Sequence, residues 1–225
     1  MKAGSIKAEA LDRESAADAI LDTSRRLYLL RHNTTLSGNI SVRLSSNTML
    51  ITPASLDKNR ITAKHLSLVD IHSKEQESID GPKPSSEFRL HSEIYLRMPE
   101  VRAIVHPHGT FSLALADALG SSLFEKALKS KHEEYVYYIG RFAWQRWIKA
   151  GTPEIARAAA SAVQKGATVV MLADHGTVAV GKSIAEALGR AESLEKMSER
   201  MYIAEQIRMA RNMDKLAKSG SSKSK

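Results

Sequence analysis

Four residues in this chain have the types and the spacing of a metal site that could carry out chemistry. His106 and His108 stand one residue apart in Val-His-Pro-His, and His175 occurs far along the chain in Asp-His-Gly. Side chains two positions apart on a strand point to the same face, so both imidazoles could reach one ion. A third histidine leaves one tetrahedral position open, which is typical of catalytic rather than structural sites. The fourth residue is Glu87, in Pro-Ser-Ser-Glu.

Each of these segments also has a simpler interpretation when it is taken alone. Two nearby histidines can be ordinary surface or core residues, and Asp-His-Gly can be an ordinary turn. Ser85, Ser86 and Glu87 stand where a helix is predicted to begin, so a serine could cap the helix and the glutamate could interact with its dipole. Alternatively, the hydroxyls and N–H groups of this helix start could bind an anion beside Glu87 and a metal. Gly38 and Asn39 lie in a turn whose amides also suit phosphate oxygens.

The composition restricts both the metal ligands and the compartment. The chain has no cysteine, so a metal would be held by His, Asp or Glu, which suits zinc, manganese, cobalt or iron. The absence of cysteine is also compatible with a cytoplasmic protein. No apolar run approaches the roughly 20 residues that span a bilayer, and the N-terminus carries no apolar signal segment. We therefore expect a cytoplasmic protein without a membrane partner.

The basic charge does not indicate a nucleic-acid partner. The net charge is +8, and the four lysines after position 214 supply half of it. The remainder shows no cluster of Lys and Arg with stacking aromatics and no nucleic-acid-binding motif. A basic pocket for a small phosphorylated substrate accounts for the excess more economically.

The hydrophobic pattern predicts one domain over residues 1–214, with a loose arm at 1–8 and a disordered basic tail at 215–225. Predicted helices cover 12–30, 87–98, 110–119, 153–164 and 184–213. Predicted strands cover 40–44, 49–52, 66–71, 101–105, 167–172 and 177–180. The segment 133–147 fits no template, because charges interrupt its aromatic and β-branched residues. Since helices and strands alternate, the fold class is α/β or α+β, with helices covering a central sheet.

Six motifs occur in order along the chain. They are Ser-Gly-Asn-Ile-Ser-Val-Arg at 37–43, Met-Leu-Ile-Thr-Pro at 49–53, Gly-Pro-Lys-Pro-Ser-Ser-Glu at 81–87, His-x-x-Ile-Tyr at 91–95, Pro-x-Val-x-Ala-Ile-Val-His-Pro-His at 99–108 and Asp-His-Gly at 174–176. Together they resemble the class II aldolase/adducin family, and they are most similar to its L-fuculose-1-phosphate aldolase branch. The resemblance runs from about residue 15 to residue 205.

The resemblance implies an α/β/α sandwich around a largely antiparallel sheet, and a homotetramer with active sites at subunit interfaces. It assigns a divalent metal, typically zinc, to His106, His108 and His175. Glu87 would be the catalytic acid/base. The phosphate of a phosphorylated sugar would be bound by Gly38, Asn39, Ser85 and Ser86.

The chain departs from the family pattern in three places. Ala54-Ser55 replaces the frequent Thr-Gly, so that one phosphate-binding hydroxyl is lost unless Ser55 substitutes for it. Asp174 stands where the family usually has Asn or His, and its carboxylate could support the metal ligand that follows. A substrate-site tyrosine falls in the poorly aligned region. Its candidates are Tyr135, Tyr137 and Tyr138, and we prefer Tyr135 as the second catalytic residue.

The expected function is that of a metal-dependent aldolase. It would cleave a ketose 1-phosphate, such as L-fuculose 1-phosphate, into dihydroxyacetone phosphate and a short aldehyde, with the metal stabilising an enediolate as a Lewis acid. Glu87 would move the proton at C3, and the tyrosine would exchange one with the C4 oxygen. Alternatives are a sugar-phosphate epimerase, dehydratase or decarboxylase, and a non-catalytic adducin-like protein. Family epimerases carry Asp in place of Glu87, and adducin-type relatives lose metal ligands.

Overall fold

The computed structural model describes residues 12–131 and 133–221, and in them one seven-stranded sheet lies between two layers of helices. The strands are β1 (Asn39–Arg43), β2 (Thr48–Ile51), β3 (Ser67–Asp70), β4 (Ala103–His106), β5 (Phe142–Gln145), β6 (Val169–Leu172) and β7 (Gly176–Gly181). Their order across the sheet is β3-β2-β1-β4-β7-β6-β5. The β5–β6 pair is parallel and the other neighbouring pairs are antiparallel. The predicted sandwich with a largely antiparallel sheet is therefore confirmed.

The helices begin at the residues that the sequence indicates. They are α1 (Arg13–Leu29), α2 (Phe88–Arg97), α3 (Thr110–Lys131), α4 (Pro153–Gln164) and α5 (Ile184–Ser221). The side chain of Asp12 accepts a hydrogen bond from the backbone of Ser15 and so caps α1. Thr152 caps α4 in the same way, with Pro153 in the first turn. Proline is tolerated there because the first N–H groups of a helix have no intrahelical partner.

The two faces of the sheet bury separate groups of side chains. Helices α1, α3 and α5 pack on one face, against residues such as Ile40 and Val105. Helices α2 and α4 pack on the other face, against residues such as Ile51 and Ile104. Because both faces are covered, β4 and β6 are apolar almost throughout, whereas β1 keeps three buried polar residues, Asn39, Ser41 and Arg43.

The strand register brings the chemically interesting residues to one edge of the sheet. Asn39, the first residue of β1, pairs with His106, the last residue of β4. Strand β7 runs antiparallel to β4 and begins at Gly176, directly after His175. Helix α2 begins just after Glu87, so its first turn belongs to the same region.

Three segments differ from the predicted elements. The helix predicted to end near Gly120 breaks there, with φ 70°, but helical structure resumes and continues to Lys131. The unassigned segment 133–147 contains a π-helical turn, Tyr135–Ile139, followed by β5. Helix α5 continues past 213 to Ser221 and so enters the predicted disordered tail, since no glycine or proline stands between 213 and Gly220. The loose arm 1–8 and residues 222–225 lie outside the described residues.

A membrane-spanning helix would need both length and apolarity. Within residues 12–131 and 133–221, no helix combines the two sufficiently to cross a bilayer.

Candidate active site

The four residues selected from the sequence meet at one point. One ligand atom from each of Glu87, His106, His108 and His175 lies within 4.8 Å of the others. The three imidazole ring centroids form a nearly equilateral triangle with sides of 4.9, 4.9 and 5.0 Å. The Nε2 atoms of His106 and His108 are 3.2 Å apart. Two nitrogens on one tetrahedral zinc ion, each about 2.0–2.1 Å from it, would be separated by about 3.3 Å.

The surroundings of His106 determine which of its nitrogens can bind a metal. Its Nδ1 lies 2.7 Å from the carbonyl oxygen of Thr177. A carbonyl oxygen can only accept a hydrogen bond, so Nδ1 must carry the proton. The neutral ring then has a free lone pair on Nε2, which faces the centre of the cluster.

The carboxylate of Glu87 points at the same centre. Its Oε2 lies 3.0 Å from Nε2 of His106, and its Oε1 lies 3.3 Å from Nε2 of His175. Among the described residues, Oε1 has no hydrogen-bond partner although it is buried. Glu87 could therefore bind the same ion as the histidines. The sequence predicted an acid/base beside the metal but not a fourth ligand.

The protonation states of Glu87 and His108 suit a cation. Burial would lower the pKa of His106, but Glu87 outweighs that effect and raises it, so this ring would release a proton when a metal binds. Burial would raise the pKa of Glu87, but His106 and His175 outweigh that effect and hold it below its usual range. Burial, together with the other two imidazoles, lowers the pKa of His108 to about 3. An ionised carboxylate and a neutral imidazole are the forms that bind metal. With the buried unpaired Oε1 and the converging nitrogens, these residues fit a divalent metal such as zinc.

Backbone features around the cluster allow the histidines to come together. A Cβ on Gly176 would lie 2.7 Å from the carbonyl oxygen of Pro107 and 2.9 Å from the ring of His108, so only glycine fits. The backbone N–H of His108 donates to Oδ1 of Asn33 at 2.9 Å. Asp174 is exposed and has φ 56°, so it makes the left-handed turn that precedes His175. The effect of its carboxylate on the metal stays a prediction.

A buried chain of hydrogen bonds leads away from Glu87. Nδ2 of Asn39 donates to Oε2 of Glu87 at 2.9 Å, and Oδ1 of Asn39 accepts from Nε2 of His91. With its proton on Nε2, His91 accepts at Nδ1 from Oγ of Ser41, at 2.7 Å. The hydroxyl of Tyr95 in turn lies 2.8 Å from Oγ of Ser41. Burial lowers the pKa of His91 to about 3, which keeps the ring neutral.

These hydrogen bonds change the interpretation of Asn39. The resemblance assigns Asn39 to the phosphate, but its side-chain amide is bound on both sides by Glu87 and His91. A signal for this network is present in the sequence. Asn39 and Ser41 alternate with apolar residues on β1, and His91 and Tyr95 are four residues apart on α2. Period two on a strand and period four on a helix place each pair on one face.

A cavity of about 570 Å³ opens beside the cluster, with Glu87, His108 and His175 in its wall. The predicted phosphate-binding residues line it as well, namely Gly38, Asn39, Ser85 and Ser86. Ser85 is buried, and its Oγ also accepts a hydrogen bond from the backbone of Glu87 at 3.3 Å. Ser86 is exposed. The structure thus brings all four to one cavity with the metal cluster, and their binding of phosphate stays a prediction.

Tyr135 is not brought to this cavity within the chain. It is only 2% exposed, its hydroxyl lies 3.3 Å from Oε1 of Glu125, and it belongs to the core on the α1, α3 and α5 face. The structure of one chain therefore does not place Tyr135 at the cavity, and its catalytic role stays a prediction. The sequence alone could not show that the π-helical turn buries this tyrosine and exposes Tyr137 and Tyr138.

Comparison with known proteins identifies the family. Residues 18–202 match the family described as Class II Aldolase and Adducin N-terminal domain. This match covers most of the chain, and the chain therefore belongs to that family.

Three similar relatives are named either as decarboxylases or as aldolases of phosphorylated sugars. The chain is 29% identical over 185 residues to a 3-oxo-tetronate 4-phosphate decarboxylase of Haemophilus influenzae, covering 82% of this chain and 86% of the relative. It is 31% identical over 193 residues to a 5-methylthioribulose-1-phosphate/5-deoxyribulose-1-phosphate aldolase of Rhodospirillum rubrum, covering 84% and 80%. It is 28% identical over 190 residues to an L-fuculose phosphate aldolase of Escherichia coli K12, covering 84% and 83%.

Solved structures agree with this assignment. A sugar-phosphate aldolase from Thermotoga maritima superposes with a TM-score of 0.77 at 26% identity, over 86% of this chain and 96% of that one.

Proposed function

We propose that this protein is a metal-dependent aldolase that reversibly cleaves a ketose 1-phosphate, such as L-fuculose 1-phosphate, into dihydroxyacetone phosphate and a short aldehyde. The observation that carries the proposal is the convergence of three imidazoles and Glu87 in the wall of a cavity. Two of the relatives above, which are named as aldolases of phosphorylated ketoses, support it.

The metal of this proposal is zinc, with manganese, cobalt or iron as other candidates. His106, His108 and His175 would hold it, and Glu87 is placed to act as a further ligand. When bound, the cation would supply Lewis-acid polarisation of the substrate oxygens.

Glu87 would carry the proton that moves at C3 of dihydroxyacetone phosphate. Its ionised carboxylate can accept this proton, and the hydrogen bond from Asn39 fixes the direction of one carboxylate oxygen. Buried surroundings strengthen such a contact relative to water. Gly38, Ser85 and Ser86 would orient the phosphate, so that binding energy far from the reacting carbon positions that carbon.

The second proton transfer, at the C4 oxygen, is assigned to a tyrosine. Tyr137 and Tyr138 are exposed and could reach the cavity of a neighbouring chain, whereas Tyr135 is buried. We propose a homotetramer with active sites at subunit interfaces, as the family resemblance implies, and a cytoplasmic location, with which the absence of cysteine is compatible. It would act on a small phosphorylated sugar, without nucleic-acid or membrane partners.

A second candidate function is decarboxylation of a phosphorylated 3-oxo sugar acid. It is favoured by two relatives named 3-oxo-tetronate 4-phosphate decarboxylase, which are 29% and 31% identical to this chain. The same carboxylate and histidines could serve this reaction. An epimerase is disfavoured by Glu87, where the resemblance implies Asp. An adducin-like role is disfavoured because all three histidines are present.

Product identification tests the proposal. The zinc-loaded protein is incubated with dihydroxyacetone phosphate and a panel of short aldehydes, and separately with 3-oxo-tetronate 4-phosphate. The products are identified by mass spectrometry, with the His108→Ala variant as the control. A condensation product that the control does not form supports the aldolase. Release of carbon dioxide without condensation would support the decarboxylase instead, and no reaction from folded, metal-loaded protein would contradict both.

A further inference from the structure

Lys58 is a buried lysine in the wall of the same cavity. It is 4% exposed, and its Nζ donates to the carbonyl oxygens of Pro53 at 2.8 Å and of Leu56 at 3.2 Å. Its backbone is held on both sides, because its N–H donates to Thr35 at 2.7 Å and its carbonyl accepts from Ser24 at 2.9 Å. The ammonium group therefore has a fixed position.

The charge of Lys58 is only partly compensated by the described residues, since Asp57 acts on it from beyond ion-pair distance. Among the described side chains, none of the carboxylates lies within ion-pair distance of its Nζ. The neighbouring Asp57 instead accepts from the backbone of Asn59 at 2.9 Å and lies 3.8 Å from Arg60. Burial lowers the pKa of Lys58. A buried charge without a counter-ion is costly, and an ammonium has three donors, of which two are used here.

The position of this ammonium matches the place where the chain departs from its family. The loop 53–56 contains Ala54-Ser55, so the hydroxyl that usually contacts phosphate is missing from its expected place. Pro53 bridges to Pro84, and the N–H of Ala54 donates to the carbonyl of Lys83 at 3.0 Å. The loop therefore lies directly beside Ser85 and Ser86. The ammonium, which has no ion-pair partner among the described residues, thus lies near the predicted phosphate-binding hydroxyls in the wall of the same cavity.

We propose that Lys58 is the positively charged group that binds the substrate's phosphate in this protein, and that it takes over from the hydroxyl lost at Ala54. This inference rests on the proposed function, because it names the residue that recognises the phosphorylated end of the sugar. The competing interpretation is that Lys58 only ties the loop 53–56 together through its two carbonyl contacts.

Binding of inorganic phosphate separates these interpretations without depending on turnover. Zinc-loaded full-length protein, Lys58→Met, Lys58→Arg and the surface control Lys64→Met are titrated with inorganic phosphate by calorimetry. Thermal unfolding with and without phosphate provides a second readout. We expect Lys58→Met to bind phosphate about 10- to 100-fold more weakly, as for loss of one hydrogen bond to a charged group. Lys58→Arg should keep most of the affinity, and Lys64→Met all of it.

The control for folding is a second neutral variant, Lys58→Gln, which keeps N–H donors for the carbonyls but loses the charge. It should lose phosphate affinity as Lys58→Met does. Wild-type phosphate affinity in either folded neutral variant would overturn the proposal. Lys58 would then only hold the loop 53–56 in place. Absence of phosphate binding by the unmodified protein would overturn it too. If phosphate binding depends on Lys58 but the protein forms no condensation product, the aldolase function would be overturned. The phosphate-binding role of Lys58 would stand.

Discussion

The two ends of the cavity are built in different ways. At the metal end, Glu87 and His106 lie at the ends of regular elements, are buried, and are held by hydrogen bonds to Asn39 and Thr177. At the phosphate end, the lining groups lie on loops, and Ser55, Lys83 and Ser86 are exposed. The difference follows from what each end must do. Bond making needs fixed geometry, whereas an anion can be held by several alternative donors.

The largest expected effect is at the metal end, in Glu87→Gln. The amide keeps the shape of the side chain but cannot accept the proton, so turnover should fall by about 10²- to 10⁴-fold, as for loss of a general base. The three histidines remain, so the bound metal should remain. Steady-state kinetics and metal analysis on the same preparation measure both quantities. Turnover at the wild-type rate would show that Glu87 is not the acid/base.

Asn39→Ala decides to which end of the cavity Asn39 belongs. Its amide donates to Glu87, so we expect kcat to fall by about tenfold or more, from loss of one hydrogen bond to a charged group. Affinity for inorganic phosphate should change little. Ser86→Ala is the matched variant at the other end, with weaker phosphate binding and nearly unchanged kcat. The reverse pattern in these two variants would return Asn39 to the phosphate, as the resemblance has it.

The hydrogen-bond chain behind Glu87 predicts a pH dependence of stability. Burial keeps the pKa of His91 at about 3, whereas in the unfolded chain it should be about 6.5. Between these values the unfolded state binds one more proton, so His91 makes the free energy of unfolding fall as the pH falls.

His91→Gln should remove that contribution. From pH 6.5 to pH 5, the metal-free wild type should lose about 1 to 2 kcal/mol more stability than the metal-free variant. Urea unfolding at both pH values measures the difference. Equal losses in the two proteins would mean that His91 titrates normally in the folded state.

The smallest effect is expected at the phosphate end, in Ser55→Gly. Ser55 has φ 54°, a conformation that glycine adopts without the steric penalty of a Cβ. The substitution should raise the free energy of unfolding by about 1 kcal/mol, measured by denaturant titration. A loss of stability would mean that the hydroxyl of Ser55 makes a contact worth more than the relieved strain.

The metal end could be predicted from the sequence, and the phosphate end only in part. His106 and His108 are close in the sequence, and His175 follows a buried strand. Local patterns were therefore sufficient to select these ligands. Lys58 and Tyr135 show the opposite case. The backbone of Lys58 is held by Ser24 and Thr35, and Tyr135 is buried in a core that includes Ile20 and Met197. These contacts join residues that are far apart in the sequence, and no local period encodes them. The strands that helices cover on both sides of the sheet were located well from their apolar runs. The continuation of α3 beyond Gly120 was not predicted.

Metal content is the most direct test of the central claim that the four side chains surround a single divalent cation. The protein and its His108→Ala variant are purified without chelators, dialysed, and measured by elemental mass spectrometry. We predict one divalent ion per chain in the unmodified protein and almost none in the folded variant. Equal metal content in both proteins, or none in either after reconstitution with zinc, would contradict the account.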